Sequence, residues 1–141
     1  MAIELTDEMA EEINNSLANG MPCLLATAGE DGEPDVAYRG SVYVFDKEHL
    51  AYWERSRIES LENLRFNPKV CVFFRNPKVR EHNWRFYGVA TLHEEGDKRQ
   101  EIMDRVVQRE LDQDPDRLGY GVLIQVDRVR QNRNVIMERD K

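Results

Sequence analysis

The first 38 residues contain no Lys and no Arg, yet they hold nine acids: Glu4, Asp7, Glu8, Glu11, Glu12, Glu30, Asp31, Glu33 and Asp35. The other 103 residues hold 18 acids against 20 bases, for a net charge of −7 over the whole chain. An acidic front end on a mildly basic body argues against a nucleic-acid partner and leaves room for a local anion site in the body. No apolar run approaches the ~18 residues needed to cross a bilayer. Met1 to Glu12 has neither the basic start nor the apolar centre of a secretory leader. These absences lead to the expectation of a cytoplasmic protein with no membrane partner.

Other devices are missing too. There are only two cysteines, Cys23 in PCLLATA and Cys71 in VCVFF, and their apolar settings predict buried, reduced thiols rather than a disulfide or redox pair. The three histidines, His49, His82 and His93, show no ligand spacing, so no metal site is expected. There is no GxSxG elbow, no GxxxxGK[ST] phosphate loop and no GxGxxG dinucleotide fingerprint. No residue therefore earns assignment as a catalytic acid, base or nucleophile.

With 8 Gly, 5 Pro and 40% hydrophobic residues, the chain is neither collagenous nor of low complexity. Its 141 residues make a single domain, and a chain near this length buries roughly 68–70% of its unfolded surface. A helix is predicted from about Asp7 to Ala18, with Thr6 as N-cap, Asn19-Gly20 as stop and a narrow stripe of Met9, Ile13 and Leu17. The pattern then changes period. Pro22–Ala28 and Pro34–Tyr38 flank a Glu30–Glu33 turn, while Ser41–Phe45 and His49–Trp53 flank Asp46–Glu48, giving two consecutive hairpins.

Ile58–Phe66 is a short helix with Leu61 and Leu64 inward, ended by Asn67-Pro68. Strands follow at Val70–Phe74 and Trp84–Leu92, with Gly88 marking a bulge or close approach. Asp97 to about Leu111 is amphipathic, with Ile102, Met103, Val106, Val107 and Leu111 on one face, and Asp114-Pro115-Asp116 ends it. Gly121–Val129 is a clear strand and Val135–Met137 a short one. Six or seven strands that do not alternate with helices exclude a doubly wound parallel sheet. The expected class is mostly β with some α, an antiparallel barrel carrying peripheral helices.

Two clusters carry chemistry. Arg39-Gly40-Ser41 opens one strand, and Trp53-Glu54-Arg55-Ser56-Arg57-Ile58-Glu59-Ser60 leads from the next into a helix. A helix N-terminus supplemented by Ser hydroxyls and guanidinium forks makes a phosphate cradle. The same residues also suit a plain N-cap with solvated arginines. Among the aromatics, most fit a barrel core. Trp53 and Trp84, each beside a charged stretch at a strand end, also suit the wall of a pocket for a flat ligand.

In that order, the pieces resemble a family. The run PCLLATAGEDGEPDVAYRGSVYVFDKEHLAYWERSRIESLENLRFNPKVCVFF, followed by WRFYGVATL, is similar to the pyridoxamine 5′-phosphate oxidase-like split β-barrel flavoproteins. The shared pattern is an A-T-x-x-x-D-G-x-P hairpin, a V-x-D-x-x-x-L hairpin, an N-L-x-x-N-P helix end, an apolar strand, and a strand ending G-x-A, across about residues 20–95. The resemblance implies an antiparallel split β-barrel that binds FMN as a homodimer. Each flavin would lie at the subunit interface and serve an oxidoreductase acting on a small-molecule substrate.

The resemblance places Arg39, Gly40, Ser41 and Val42 on the strand that approaches flavin and phosphate, and Trp53 and Glu54 where the next strand meets the cofactor. Ser60, eight residues before Pro68, falls where relatives contact phosphate; Asn83, five before Gly88, falls where they contact the flavin ring. Together with the cluster above, Arg39, Ser56, Arg57 and Ser60 are the phosphate candidates, and Ser41, Val42, Trp53, Asn83 and Trp84 the ring candidates. Glu59 stands at a position often basic in relatives, and the Arg/His substrate motif of the vitamin B6 oxidases is missing from the tail VDRVRQNRNVIMERDK. Related barrels bind F420 or haem instead. A flavin carrier without turnover and a cofactor-free dimeric barrel are further alternatives.

Overall fold

The computed structural model describes residues 2–55 and 59–140. Two phosphate candidates, Ser56 and Arg57, and the side chain of Glu59 lie outside the described part. The elements run α1 (Asp7–Asn14), β1 (Cys23–Ala28), β2 (Pro34–Arg39), β3 (Tyr43–Val44), β4 (His49–Glu54), α2 (Glu59–Phe66), β5 (Lys69–Arg75), β6 (Asn83–His93), α3 (Gly96–Asp104), α4 (Gln108–Leu111), β7 (Tyr120–Gln131) and β8 (Asn134–Glu138). Seven strands form one path, β2-β1-β5-β6-β7-β4-β3, and β8 folds back on β7. Every described pairing is antiparallel, and the curled sheet is the split barrel that the sequence predicts.

Alternation makes the inside. In β1, β5 and β6 every second residue is buried, so Leu25, Val72, Phe74, Trp84 and Phe86 join one core with Leu50, Tyr52, Val122 and Ile124. Each fully buried aliphatic or aromatic side chain in such a core contributes about 1.5–3 kcal/mol. β4 is buried on both faces: Leu50 and Tyr52 point into the main core, while Ala51 and Trp53 join Tyr43, Ile102, Val106 and Leu111 in a second core under α3 and α4. β2 is an edge strand, and Pro34 sits at its first position, where a missing N–H disturbs the ladder least.

The sequence expectations meet three local corrections. α1 is capped by the Thr6 hydroxyl, which accepts from Met9 N–H at 3.1 Å, and it ends at Asn14 rather than Ala18. Its Met9 and Ile13 are 2% and 0% exposed, so the stripe packs into the main core. The strand expected over 41–45 shrinks to Tyr43–Val44. Ser41 Oγ both accepts from Trp53 N–H (3.0 Å) and donates to its carbonyl (3.1 Å), replacing a ladder step, and Arg105 donates to the carbonyls of Val44 and Phe45 at 3.1 and 2.8 Å. The long helix after Asp97 breaks at residues 105–107. The Arg105 guanidinium lies over the Tyr43 and Phe45 rings (5.0 and 4.9 Å), and Val107 is extended, with ψ 135°.

Gly88 does mark a bulge and a close approach. The register shifts between Tyr87 and Gly88, and a Cβ there would lie 2.2 Å from the Gln125 carbonyl oxygen. Both cysteines are free, Cys23 buried and Cys71 half-buried; burial pushes the Cys23 thiol up to about 12. No helix of the described residues is long and apolar enough to cross a membrane.

Candidate functional site

Arg39 closes β2, Glu54 closes β4 and Ser60 lies in the first turn of α2, so three elements deliver one side chain each to a single place. Arg39 Nη2 donates to Glu54 Oε1 at 3.1 Å and to Ser60 Oγ, and Ser60 Oγ donates to the same carboxylate oxygen at 3.0 Å. Arg39 Nη1 donates to the Tyr38 carbonyl at 2.8 Å, whereas its Nε is buried with no partner. Glu54 is 2% exposed and Arg39 13%. A buried ion pair of this kind offsets its own desolvation only while both members are present. Beside it, burial and the Glu54 charge push the Tyr52 phenol up, and its hydroxyl is buried without a hydrogen-bond partner.

The next residues in sequence are held tightly. A Cβ on Gly40 would lie 2.7 Å from Glu110 Oε1, so the space beside Gly40 is filled by a carboxylate from α4 that also pairs with Arg55 at 3.6 Å. Val42 is a core residue. Trp53 is 2% exposed; Arg99 lies over its ring at 4.8 Å, and its indole N–H donates to Asp114 Oδ2 at 2.8 Å. Asp114 also accepts from the N–H groups of Leu118 (2.9 Å) and Gly119 (2.8 Å). Burial works to raise the Asp114 carboxyl, and these donors together hold it below the ordinary range.

The structure thus brings Arg39, Glu54 and Ser60 together, and Ser41 with Trp53. It puts Asn83 and Trp84 elsewhere. Glu54 pairs with Tyr120 at the start of β7, and Trp84 with Gln131 at its end. Along β7 these places are eleven residue steps apart, at most about 36 Å at ~3.3 Å per residue, whereas across the sheet Trp84 lies three strands from Arg39. Trp84 is buried between Phe74 and His82, with ring centroids 5.7 and 4.9 Å away, and its indole N–H donates to Gln131 at 3.0 Å. The Asn83 side-chain oxygen is buried without a partner.

Sequence reasoning did not assign roles to Asp114 and Glu110, which serve Trp53 and Arg55. Asp114 was legible only as a helix stop, and nothing in the spacing of Glu110 tied it to Gly40. None of the three histidines contacts Arg39, Glu54 or Ser60: His49 bonds Asp46 (2.8 Å), His82 bonds Glu12 (2.6 Å) and Glu8 (3.0 Å), and His93 bonds Thr91 (3.1 Å). Among the described residues no cluster of His, Cys, Asp and Glu is arranged to hold a metal ion.

A curled, wholly antiparallel sheet with a few helices is the split-barrel architecture. The chain belongs to the pyridoxamine 5′-phosphate oxidase family, whose sequence model matches residues 5–135. An uncharacterised protein of Methanocaldococcus jannaschii is 28% identical over 113 residues, covering 77% of this chain and 71% of its own. A candidate pyridoxamine 5′-phosphate oxidase from Lactobacillus delbrueckii superposes with a TM-score of 0.70 at 25% identity, over 92% of this chain and 95% of that one. An FMN-binding protein from Syntrophomonas wolfei does so with 0.65 at 17% identity, over 87% and 83%. The same fold recurs in an F420 reductase and in a haem-binding protein from Mycobacterium smegmatis, with TM-scores of 0.60 and 0.62.

Proposed function

We propose that this protein binds FMN as a homodimer and uses it as an oxidoreductase on a small organic substrate. The observation that carries this reading is the meeting of Arg39 and Ser60 at the rim of the barrel, with the Arg39 Nε a buried donor that lacks an acceptor. A phosphate oxygen would complete that donor, and the Ser60 hydroxyl stands beside it. Ser56 and Arg57, in the stretch immediately before, are the further phosphate candidates. FMN supplies the hydride or electron chemistry when bound; the protein supplies the anchor, the orientation and the exclusion of water.

Dimerisation is part of the same reading. Asn83 and Trp84 start β6, three strands from Arg39 across β1 and β5, and in this reading the Asn83 that faces the flavin at Arg39 comes from a second copy of the chain. The outer face of β2, β1 and β5 offers a surface for that copy. Tyr38 and Val36 are 68% and 60% exposed there, beside Leu24, Ala26 and Phe73 on neighbouring strands. Haem fits less well, because no histidine lies at the Arg39 rim; F420 remains the alternative cofactor.

One observation favours a second reading, a barrel without nucleotide. Glu54 already accepts from Arg39 Nη2 and from the Ser60 hydroxyl, and its carboxylate opposes a phosphate placed beside it. The absorption spectrum of the purified protein, with the mass of whatever is released on denaturation, separates the two. A flavin band and the mass of FMN are expected. Colourless protein that takes up no added FMN would overturn the first reading and leave the second. Replacing Arg39 and Ser60 together with Ala should weaken FMN binding, and unchanged affinity would refute the phosphate assignment.

A further inference from the structure

We infer that Glu54 latches the Arg39 site against anions, and that a phosphate monoester enters only together with a proton taken up by this carboxylate. On the FMN reading above, on which this rests, cofactor uptake becomes pH-dependent. The latch is a saturation of donors. Arg39 Nη2 spends its contacts inside the chain, on Glu54 Oε1 at 3.1 Å and on Ser60 Oγ, and the Ser60 hydroxyl donates to the same Glu54 Oε1 at 3.0 Å. Arg39 Nε is a buried donor without an acceptor. Nε and Nη2 share the guanidinium edge that holds an anion by two parallel bonds, so the ionised carboxylate occupies half of the grip that a phosphate needs.

Glu54 cannot swing aside. Its side chain is 2% exposed, and its backbone is in register with Tyr120 on β7. Gly119 packs so closely that an added Cβ would lie 2.7 Å from the Glu54 carbonyl oxygen. Ser41 Oγ clasps the N–H and carbonyl of the neighbouring Trp53. Among the described residues, the charges around the carboxylate are already matched. From β2 it faces Arg39, and from α2 the neutral Ser60. Tyr52, two residues back on β4, is a phenol pushed up by burial and by the Glu54 charge, so it keeps its proton. Tyr120 has Arg65 over its ring at 5.8 Å, and Arg65 is bonded to Glu94 at 3.0 Å. Arg55, next in the chain, pairs with Glu110 of α4 at 3.6 Å.

A dianion brought beside a fixed, buried carboxylate disfavours the charged form of that carboxylate. A proton from solvent is the response that moves no backbone. On Glu54 it turns an acceptor into a donor. The neutral carboxyl O–H then donates to a phosphate oxygen, and the Ser60 hydroxyl is released to do the same. Arg39, no longer matched by a negative charge, presents Nη2 and Nε together. One proton enters with each phosphate and returns to solvent when the phosphate leaves.

Calorimetric titration of the cofactor-stripped, full-length protein with FMN, in two buffers of different ionisation enthalpy at fixed ionic strength, counts the protons. Between pH 8 and pH 7 the ligand phosphate, with a second pKa of about 6, is largely a dianion, so the uptake belongs to the protein. About one proton per FMN is expected, with affinity about tenfold tighter at pH 7 than at pH 8 by linkage. Glu54→Gln, which keeps the shape and an acceptor for Arg39, should bind FMN about tenfold tighter or more at pH 8 and take up no proton. Glu110→Gln should keep the proton count of the unmodified protein. No uptake by the unmodified protein, or the same count in Glu54→Gln, would overturn the latch, while FMN binding in either case leaves the flavin reading standing. Loss of the uptake in Glu110→Gln alone would move it to α4 and overturn the assignment to Glu54. Binding by Glu54→Gln alone at both pH values would make Glu54 a permanent block and overturn entry with a proton. FMN bound by neither protein would bring down the latch and the flavin reading together.

Discussion

The two ends of β7 both gather arginine, and they treat its charge in opposite ways. At the Tyr120 end, Arg39 is met by a carboxylate 2% exposed and by a serine hydroxyl, all from the same chain. At the Gln131 end, Arg85 and Arg130 are set against each other with no carboxylate partner. An arginine compensated from within ties β2, β4 and α2 together, and removing it exposes the cost of a buried, unpaired charge. An arginine without a carboxylate is held by neutral partners alone, Arg85 by the Phe73 ring and Arg130 by the Tyr87 hydroxyl, and its removal strands no buried charge. Position in a barrel therefore does not reveal what an arginine does; the partner it has been given does.

The largest expected effect breaks or upholds that contrast. Arg39→Ala strands the Glu54 carboxylate and should cost about 3–5 kcal/mol, whereas Arg130→Gln should lie within about 0.5 kcal/mol of the parent or be slightly more stable. Urea unfolding midpoints check both, and equal losses at the two ends would contradict the account.

A somewhat smaller loss is expected nearby, from Asp114→Ala. It leaves the Trp53 indole and the N–H groups of Leu118 and Gly119 without their acceptor, for about 2–3 kcal/mol. The pH dependence has a definite sign. The Asp114 carboxyl is held below its ordinary value, so its contribution is present above about pH 3.9 and is lost as pH falls through the folded value. Asp114→Asn should flatten that acid limb in stability measured against pH.

Gly88→Ala, midway between the two ends, should cost about 1–3 kcal/mol, because the added Cβ meets the Gln125 carbonyl at 2.2 Å.

The smallest effect sharpens the contrast at the Gln131 end, where the compensated cation is a histidine. Burial works to lower His82, but Glu12 and Glu8 more than offset this and raise it above its ordinary value. Its contribution is complete below about pH 6.5 and is lost as pH rises through the folded value. With Glu8 exposed, the change should stay under about 1 kcal/mol. Unfolding midpoints at pH 6 and pH 8 should converge in His82→Gln; an unchanged pH dependence would detach His82 from α1.

Much of this was legible in the residues. Period-two alternation located the strands, Thr6 announced the first helix, and Gly88 announced the bulge, because each depends on chemistry within a few positions. What remained hidden depends on contacts across the fold. Arg105 breaks its helix by reaching Val44 and Phe45, and no local propensity at residues 105–107 reveals those acceptors. The same holds for the site. Arg39 and Ser60 stood out as an arginine expected to open a strand and a hydroxyl at a helix start; the structure has Arg39 closing β2, and Glu54 became their partner only when β4 was folded against both. Arg85 and Arg130 lie 45 positions apart in sequence and become neighbours solely through the register of β6 with β7.

The central claim is that the Arg39 end, though charge-compensated, still accepts the phosphate of FMN. Titrating cofactor-stripped protein into a fixed concentration of FMN and following flavin fluorescence tests it most directly. The account predicts a change that saturates at one FMN per subunit and is lost when Arg39 and Ser60 are both Ala; fluorescence unaltered by the unmodified protein would contradict it.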